Sequence, residues 1–342
     1  MERSYTARRT RSIVRMQSRG KEEKVLGSPL LSSFFSNFVA KKKLDLMLVP
    51  ATVGSALRLS AGVIAAVNTA GFAVTAATKS HKVTDLTGTA AFVASAWATH
   101  AASLASSTPT SSLALLLRPS RGFALACVVS AWGARLSAHL FTRVLRLGKD
   151  ERLDFLFPGQ GDPPLGGPSL FPLKLAGFWA AQGAWAWVCL LPVTVLHGNP
   201  AAATGRLGVA GAACAAAALA FVATEAVADS QKNRHYEDAS KKGKPCTEGL
   251  YSVVRYPNYA AEIGVWTSLA LAAATAPGVL ASAPLAVAAS PLFTYSLLAY
   301  GSGIPPLEEA HERKYGTDDE FRRWKREVPR LFPDVFKVLK KE

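Results

Sequence analysis

The sequence lacks the short motifs that mark common metal, nucleotide and redox sites. Its six histidines form no HxxxH or HExxH pair and its four cysteines form no CxxC pair, so no metal site is predicted. Cys127, Cys189 and Cys214 fall in apolar runs, where a cysteine is a small core residue. There is no phosphate-binding loop and no glycine-rich turn after a strand. A nucleotide would therefore be held by arginines at helix ends rather than by a Rossmann fold.

Acidic residues are also scarce: 24 Asp and Glu stand against 39 Lys and Arg, for a net charge of +15. A basic membrane protein usually meets anionic headgroups or phosphate-bearing small molecules before it meets nucleic acid. Residues 1–43 alone carry eleven basic and three acidic side chains. No hydrophobic secretory segment follows the start, and this composition fits either an organelle transit peptide or a disordered cytosolic tail.

Apolar runs of membrane-spanning length are abundant. They are roughly 17–23 residues long, which is about the thickness of a bilayer in helical form, and the charges collect between them. Seven spans are predicted, at residues 55–77, 86–106, 122–142, 174–196, 206–227, 259–275 and 279–300. The predicted fold is an all-α, multi-pass membrane domain over residues 44–342, behind the basic N-terminal extension.

An odd number of spans places the long polar loops on one side of the membrane. These are residues 79–85, 143–173 and 228–258 and the amphipathic tail 301–342. Their excess of Lys and Arg assigns this side to the cytosol, stroma or matrix. We therefore expect an integral protein of a mitochondrial, plastid or endoplasmic reticulum membrane, in contact with membrane lipids. The tail is predicted to form interfacial helices lying on the membrane.

The stretch from Gly249 to Trp266, GLYSVVRYPNYAAEIGVW, begins polar and runs into an apolar helix. Pro257 favours a helix start at this point, because it restricts the residue before it and fits the first helical turn. Asn258 then falls among free backbone N–H groups, which attract anions. Glu262 lies one turn further in, and a carboxylate inside an apolar helix is costly unless it is paired or used.

Two further polar clusters fall on the same side of the membrane. Residues 135–152 carry arginines at roughly helical spacing and end in a basic turn, and such a row can hold a phosphate or anchor to headgroups. In the second cluster, Glu225 and Asp229 are four residues apart and face the same way. Their charges repel unless a cation bridges them, and Lys232 is one candidate.

Taken in order, these pieces resemble the membrane branch of the steroid 5-alpha-reductase superfamily, whose members are often described only as a domain of unknown function. The matching segments cover about residues 79–335. They are TDL at 84–86, R…GKDER at 135–152, E…ADSQK at 225–232, GLYSVVRYPNYAAEIGVW at 249–266 and SGIPPLEEAHERKYG…F…W at 301–324. One departure stands out: the family usually has His where this chain has Tyr256, and a phenol has a much higher reference pKa than an imidazole.

The resemblance implies NADPH held between helices and facing a lipid-like substrate such as a sterol, acyl or prenyl chain. By motif, the implied cofactor contacts are Asp229, Arg234, Arg255, Asn258, His311 and Tyr315, together with Glu262 near the nicotinamide. Arg135, Arg143 and Arg152 are our own additions as phosphate contacts. The expected reaction is hydride transfer to a double bond or carbonyl. The expected catalytic residues are Tyr259 and Glu262, with Tyr256 as a second phenol.

Two alternatives stay open at this point. Isoprenylcysteine and phospholipid methyltransferases share a similar Arg-His-Pro-x-Tyr turn and a Glu-Glu pair before the tail, where this chain has Glu308 and Glu309. That resemblance implies S-adenosylmethionine as the cofactor. The missing histidine also fits a protein without catalytic activity that serves as a subunit of a larger membrane complex.

Overall fold

The computed structural model describes residues 52–107, 113–147, 156–157 and 171–333, and within these ranges the chain forms helices and turns without strands. The helices are α1 (Val53–Thr78), α2 (Thr84–Ser107), α3 (Leu113–Leu116), α4 (Arg121–Leu147), α5 (Leu173–His197), α6 (Pro200–Thr204), α7 (Val209–Glu237), α8 (Pro257–Ala274), α9 (Val279–Ser282), α10 (Pro284–Tyr300), α11 (Ile304–Tyr315) and α12 (Asp319–Glu327). The basic extension 1–43 and Arg152 lie outside the described residues.

The all-α membrane fold is confirmed. Five segments are long and apolar enough to cross a membrane: Val53–Thr78, Arg121–Val144, Leu173–His197, Val209–Glu237 and Pro284–Tyr315. The other two predicted spans, in α2 and α8, form helices at the expected places but are less apolar. Helix α2 is continuous but contains polar residues such as Asp85 and His100. Helix α8 is short and begins with the polar sequence Pro-Asn-Tyr. The protein is therefore an integral membrane protein.

Two predicted boundaries were wrong. The last span was expected at 279–300, but the helix breaks at Ala283, which has a non-helical φ of −154°, and α10 begins at Pro284. A proline has no N–H to donate and is therefore favoured at a first helical position. Helix α7 runs ten residues beyond the expected end at 227, to Glu237. This extension carries Asp229 and Lys232 on a continuous helix rather than on a loop.

Helix α5 is the centre of the bundle and contacts α1, α2, α4, α8 and α10. Helix α8 packs most extensively on α7 and also contacts α10, α5 and α4. The core between them is aromatic, because Phe92 packs against Trp132, Trp185 and Trp266 with ring centroids 4.7–5.4 Å apart. Aromatic pairs at such distances contribute beyond the area that they bury. This aromatic layer lies directly beneath the polar site described below.

The tail forms the two helices α11 and α12, and three of its apolar side chains pack against each other. Tyr315, Phe321 and Trp324 form a small core of their own between α11 and α12. The indole of Trp324 donates a 2.7 Å hydrogen bond to the carbonyl of Tyr251, so the tail is tied to the turn that precedes α8. An amphipathic pattern alone does not tell a membrane surface from a protein surface.

Candidate functional site

Glu262 lies at the inner end of the site and is held by two indoles. Its Oε2 accepts a 2.9 Å hydrogen bond from Trp132 Nε1, and its Oε1 accepts a 2.7 Å bond from Trp266 Nε1. The second bond joins residues four apart on α8, one helical turn, as the sequence spacing predicted. Both donors belong to the aromatic core, so the carboxyl group is fixed in position by packed rings.

The turn before α8 is shaped by a glycine. Gly249 has a φ of +61°, a conformation that side chains disfavour, and a Cβ at this position would meet the side-chain amide of Gln231 at 2.6–2.7 Å. Gln231 Oε1 accepts a 2.9 Å hydrogen bond from the Leu250 N–H. Pro257 starts α8 as predicted, so Asn258 occupies the first helical turn at the rim of the site.

Arg135 bridges the two acids of α7. Its Nη1 donates a 2.9 Å hydrogen bond to Glu225 Oε2, and its Nη2 bonds Asp229 Oδ2. His139 Nε2 lies 3.6 Å from the same Asp229 oxygen. The predicted need for a bridging cation is therefore met by Arg135, which comes from α4 rather than from the acids' own helix. Sequence spacing within α7 pointed only to Lys232.

These residues surround one cavity of about 620 Å³, within the range of about 300–1,000 Å³ that is usual for ligand pockets. Its charged lining consists of Asp85, Arg135, Arg143, Glu225, Asp229, Lys232 and Glu262. Asn258 and Tyr259 stand at the α8 side of this cavity, and Thr294, Leu297 and Leu298 of α10 form an apolar wall. Segments that are far apart in the sequence thus meet at one end of the bundle.

Two smaller cavities adjoin the main one. A cavity of about 330 Å³ shares Arg135, His139 and Asp229 with it and extends towards Arg234. A space of about 20 Å³ shares Lys232, Tyr236 and Asn258 and is lined further by Arg255, Tyr256 and His311. Most of the predicted site residues that the structure describes therefore line either the main cavity or a neighbour.

Three of the predicted site residues pack against or bond to other groups of the chain. Tyr315 is 3% exposed and packs against Phe321, so its ring belongs to the tail core rather than to a cavity wall. Arg255 donates a 2.8 Å hydrogen bond to Glu308 Oε1. The exposed Arg234 donates a 3.3 Å bond to the Ser230 carbonyl of its own helix. The roles assigned to these residues from the family resemblance stay predictions.

Tyr256 replaces the histidine of related sequences, and it is buried. Its ring stacks on Tyr259 with centroids 6.0 Å apart, and the Arg255 guanidinium lies 6.0 Å from the ring centroid. Burial, and then the nearby carboxylate of Glu308, raise the pKa of the Tyr256 phenol above its usual range. The hydroxyl therefore stays neutral at physiological pH and keeps its proton.

Sequence reasoning did not select several residues that line the main cavity. Trp185, His139 and Tyr236 come from helices α5, α4 and α7, and each reads as an ordinary core or surface residue in its own segment. Glu225 appeared as one of a pair but was not chosen as a site residue. Helical spacing had already placed Glu225 on the same face as Asp229 and Lys232, which is the signal that could have selected it.

Residues 71–328 match the family model described as "Protein of unknown function (DUF1295)". The chain belongs to this family. No curated protein and no solved structure matches it. The match covers the cavity, both flanking acids of α7 and the whole of α8. The DUF1295 description names no activity, so the resemblance to the reductase superfamily bears only on the proposal that follows.

Proposed function

We propose that this DUF1295 protein is a membrane-embedded reductase that uses NADPH to reduce a double bond or carbonyl in a lipid-like substrate. The observation that carries the proposal is the 620 Å³ cavity, in which a fixed carboxyl group, Glu262, lies beside Tyr259 and an apolar wall. A carboxyl and a phenol next to an apolar surface suit protonation of an uncharged substrate.

The polar and charged groups of the cavity lining are of the types that bind a nicotinamide nucleotide. The Asn258 side chain offers both a donor and an acceptor to a carboxamide, and Arg143 and Lys232 supply positive charge for phosphates from α4 and α7. Arg135 and Arg255, which were expected to bind phosphate, already bond carboxylates of the chain. In this proposal Arg135 and Arg255 position acids, and Arg143 and Lys232 contribute positive charge at the cavity lining.

When bound, NADPH supplies the hydride. The protein's part is to orient the substrate against the α10 wall, to exclude water and to place a proton donor. Glu262 and Tyr259 are the groups that would donate to the carbon or oxygen that receives the electron pair. The aromatic layer of Phe92, Trp132 and Trp266 fixes the Glu262 carboxyl, so little reorganisation is needed at the moment of transfer.

Cofactor binding by the full chain, purified in detergent, tests the proposal. We expect NADPH to bind with saturation and S-adenosylmethionine not to bind, as followed by quenching of tryptophan fluorescence. Glu262→Gln should weaken NADPH binding or, once a substrate is identified, its turnover. Glu309→Gln changes the same charge at a side chain that is 70% exposed and serves as the matched control.

The outcomes separate the alternatives. If neither NADPH nor NADH binds, the reductase proposal is wrong. Binding of S-adenosylmethionine in their place would support a methyltransferase. Equal NADPH binding and equal turnover in Glu262→Gln and in the unchanged protein would remove Glu262 from the site.

A further inference from the structure

Glu225 is the most deeply buried acid of the cavity lining, with 1% of its surface exposed. One carboxyl oxygen, Oε2, accepts the hydrogen bond from Arg135 at 2.9 Å. The other, Oε1, is buried and has no hydrogen-bond partner among the groups that the structure describes. A buried carboxyl oxygen without a donor is unfavourable, and in a native fold it calls for an explanation.

The explanation lies in the neighbouring carboxyl group. Glu225 and Glu262 line the same cavity and bond neighbouring positions of α4, Glu225 to Arg135 and Glu262 to Trp132, three residues earlier on the same helical face. Ionised carboxylates can only accept hydrogen bonds. Both oxygens of Glu262 already accept from indoles, at 2.9 and 2.7 Å, and an indole N–H can only donate. The arrangement therefore keeps Glu262 as the acceptor. A proton on Glu225 Oε1 would give this buried oxygen a hydrogen to donate towards Glu262 and would remove the repulsion between two neighbouring charges.

The charges around the pair favour the same assignment. Arg135 bonds both Glu225 and Asp229, and one guanidinium can neutralise only one of two carboxylates. Asp229 is the more exposed acid, with 11% of its side chain accessible against 2% for Glu225. An ionised group is less costly where water reaches it. Glu225, which water reaches least, is thus the acid for which carrying a proton costs less than carrying a charge.

We propose that Glu225 stores a proton for the reduction and passes it to Glu262, which delivers it to the substrate. This inference rests on the proposed function. The substrate gains a hydride with its electron pair at one atom and the proton at the adjacent atom, so no further reductant is required. Glu225 acts through Glu262 and is a positioning residue rather than a catalytic one.

Water would return the proton to Glu225 through the main cavity, which Glu225 lines. The polar groups beside Glu225 at this cavity are Arg135, Asp229 and His139, whose side chain is 21% exposed. His139 also lines both the main and the neighbouring 330 Å³ cavity.

Infrared spectroscopy of the full chain in detergent, without NADPH, tests the stored proton directly. A protonated carboxyl group has a C=O stretching band that is absent from carboxylates and that shifts in D₂O. We expect this band at pH 7.5 in the unchanged protein and its loss in Glu225→Gln. Glu309→Gln, an exposed control with the same change in charge, should retain it. A spectrum without the band, or one in which Glu225→Gln keeps it, would overturn the inference.

A second variant keeps the test decisive if Glu225→Gln does not fold. Glu262→Gln changes only the acceptor, so the band should persist but move in frequency, and an unmoved band contradicts the contact. The measurement needs no cofactor or substrate. If the band is present but NADPH does not bind, the proposed function is wrong and the protonated carboxyl group is still supported. If NADPH binds but the band is absent, only the stored proton is wrong.

Discussion

The bundle buries polar side chains at both of its ends, and the two ends differ in what those side chains face. At the cavity end, Asp85, Arg135 and Glu262 face a common space. At the other end, which we call the histidine end, Thr99, His100, Arg121 and His197 are buried. Asp85 and His100 share α2 and lie about 22 Å apart along its axis, at 1.5 Å per residue. The same helices thus build both ends.

The histidine end uses its polar groups to tie the chain together. His197 contacts Thr99 Oγ1 at 2.8 Å through Nδ1 and the Gly122 carbonyl at 3.2 Å through Nε2. Arg121 donates to the Ala202 carbonyl at 2.8 Å. Two of these three partners are main-chain carbonyls, that of Gly122 in α4 and that of Ala202 in α6. Burial of a histidine or an arginine therefore indicates structure here, and only convergence on a cavity indicates a site.

Removal of the cation at the cavity end should have the largest effect on stability. Arg135→Met leaves Glu225 and Asp229 without their shared partner. Loss of one side of a buried ion pair typically destabilises a protein by about 3–5 kcal/mol, and we expect a loss of that size in thermal unfolding followed in detergent. Arg313→Met, which breaks an exposed pair with Glu309, should change stability by less than about 1 kcal/mol.

A rescue experiment separates charge from packing in this variant. If Arg135→Met is unstable because the two acid side chains are left buried without a cation, adding Glu225→Gln and Asp229→Asn should restore a large part of the lost stability. A triple variant as unstable as Arg135→Met would show that the arginine matters for its volume instead.

The sequence predicted the elements of the cavity end better than their pairing. Helical spacing placed Glu262 one turn from Trp266, and the structure shows their hydrogen bond. Spacing could not reveal that Trp132, 130 residues away, supplies the second donor. Nor could it reveal Arg135 as the bridge between Glu225 and Asp229. Such contacts depend on which helices become neighbours, and a period of 3.6 residues carries no information about that.

The histidine end escaped prediction for a related reason. His100 and His197 are 97 residues apart and belong to no motif, so they read as scattered. The fold brings their rings to a centroid distance of 5.4 Å. The start of α10 and the packing of the tail's apolar residues were not predicted, because the local signals were ambiguous. A single proline moved the start of α10, and an amphipathic pattern fitted a membrane surface as well as the protein surface that it covers.

A glycine substitution tests how tightly the histidine end is packed. A Cβ at Gly122 would lie 2.8 Å from His100 Nδ1 and 3.1 Å from His197 Cδ2, so Gly122→Ala should destabilise the protein by about 1–3 kcal/mol through overpacking. The control is Gly62→Ala, where a Cβ meets nothing within 4 Å. That change should stabilise α1 by about 0.5–1 kcal/mol, because alanine favours a helix over glycine.

The same pair also tests the division of roles. The folded fraction of Gly122→Ala should bind NADPH as the unchanged protein does, because the histidine end is remote from the main cavity. A tenfold weaker affinity in the folded variant would contradict that separation and would link the two ends.

A substitution in the tail should reduce stability by a smaller amount. Trp324→Phe removes the hydrogen bond to the Tyr251 carbonyl and leaves that buried oxygen without its indole donor. We expect a loss of about 1–2 kcal/mol, since a net hydrogen bond contributes about 0.5–1.5 kcal/mol and the smaller ring leaves some space. Limited proteolysis beyond residue 300 should be faster in the variant. An equal cleavage rate would show that other contacts hold the tail.

The smallest expected effect concerns pH. Burial raises the pKa of Tyr256 above its usual range, so the fold favours the neutral phenol. The stability gained is therefore present below the unfolded pKa of about 10 and is lost as the pH rises through the higher folded value. Tyr256→Phe should differ from the unchanged protein by less than about 1 kcal/mol at pH 7. Above pH 10 its melting temperature should fall less steeply, although Tyr251, whose pKa is also raised by burial, keeps part of the slope in both proteins. If the melting temperatures of the two proteins fall equally from pH 8 to 11, the folded protein tolerates the phenolate of Tyr256. The stack with Tyr259 would then not disfavour the charged form.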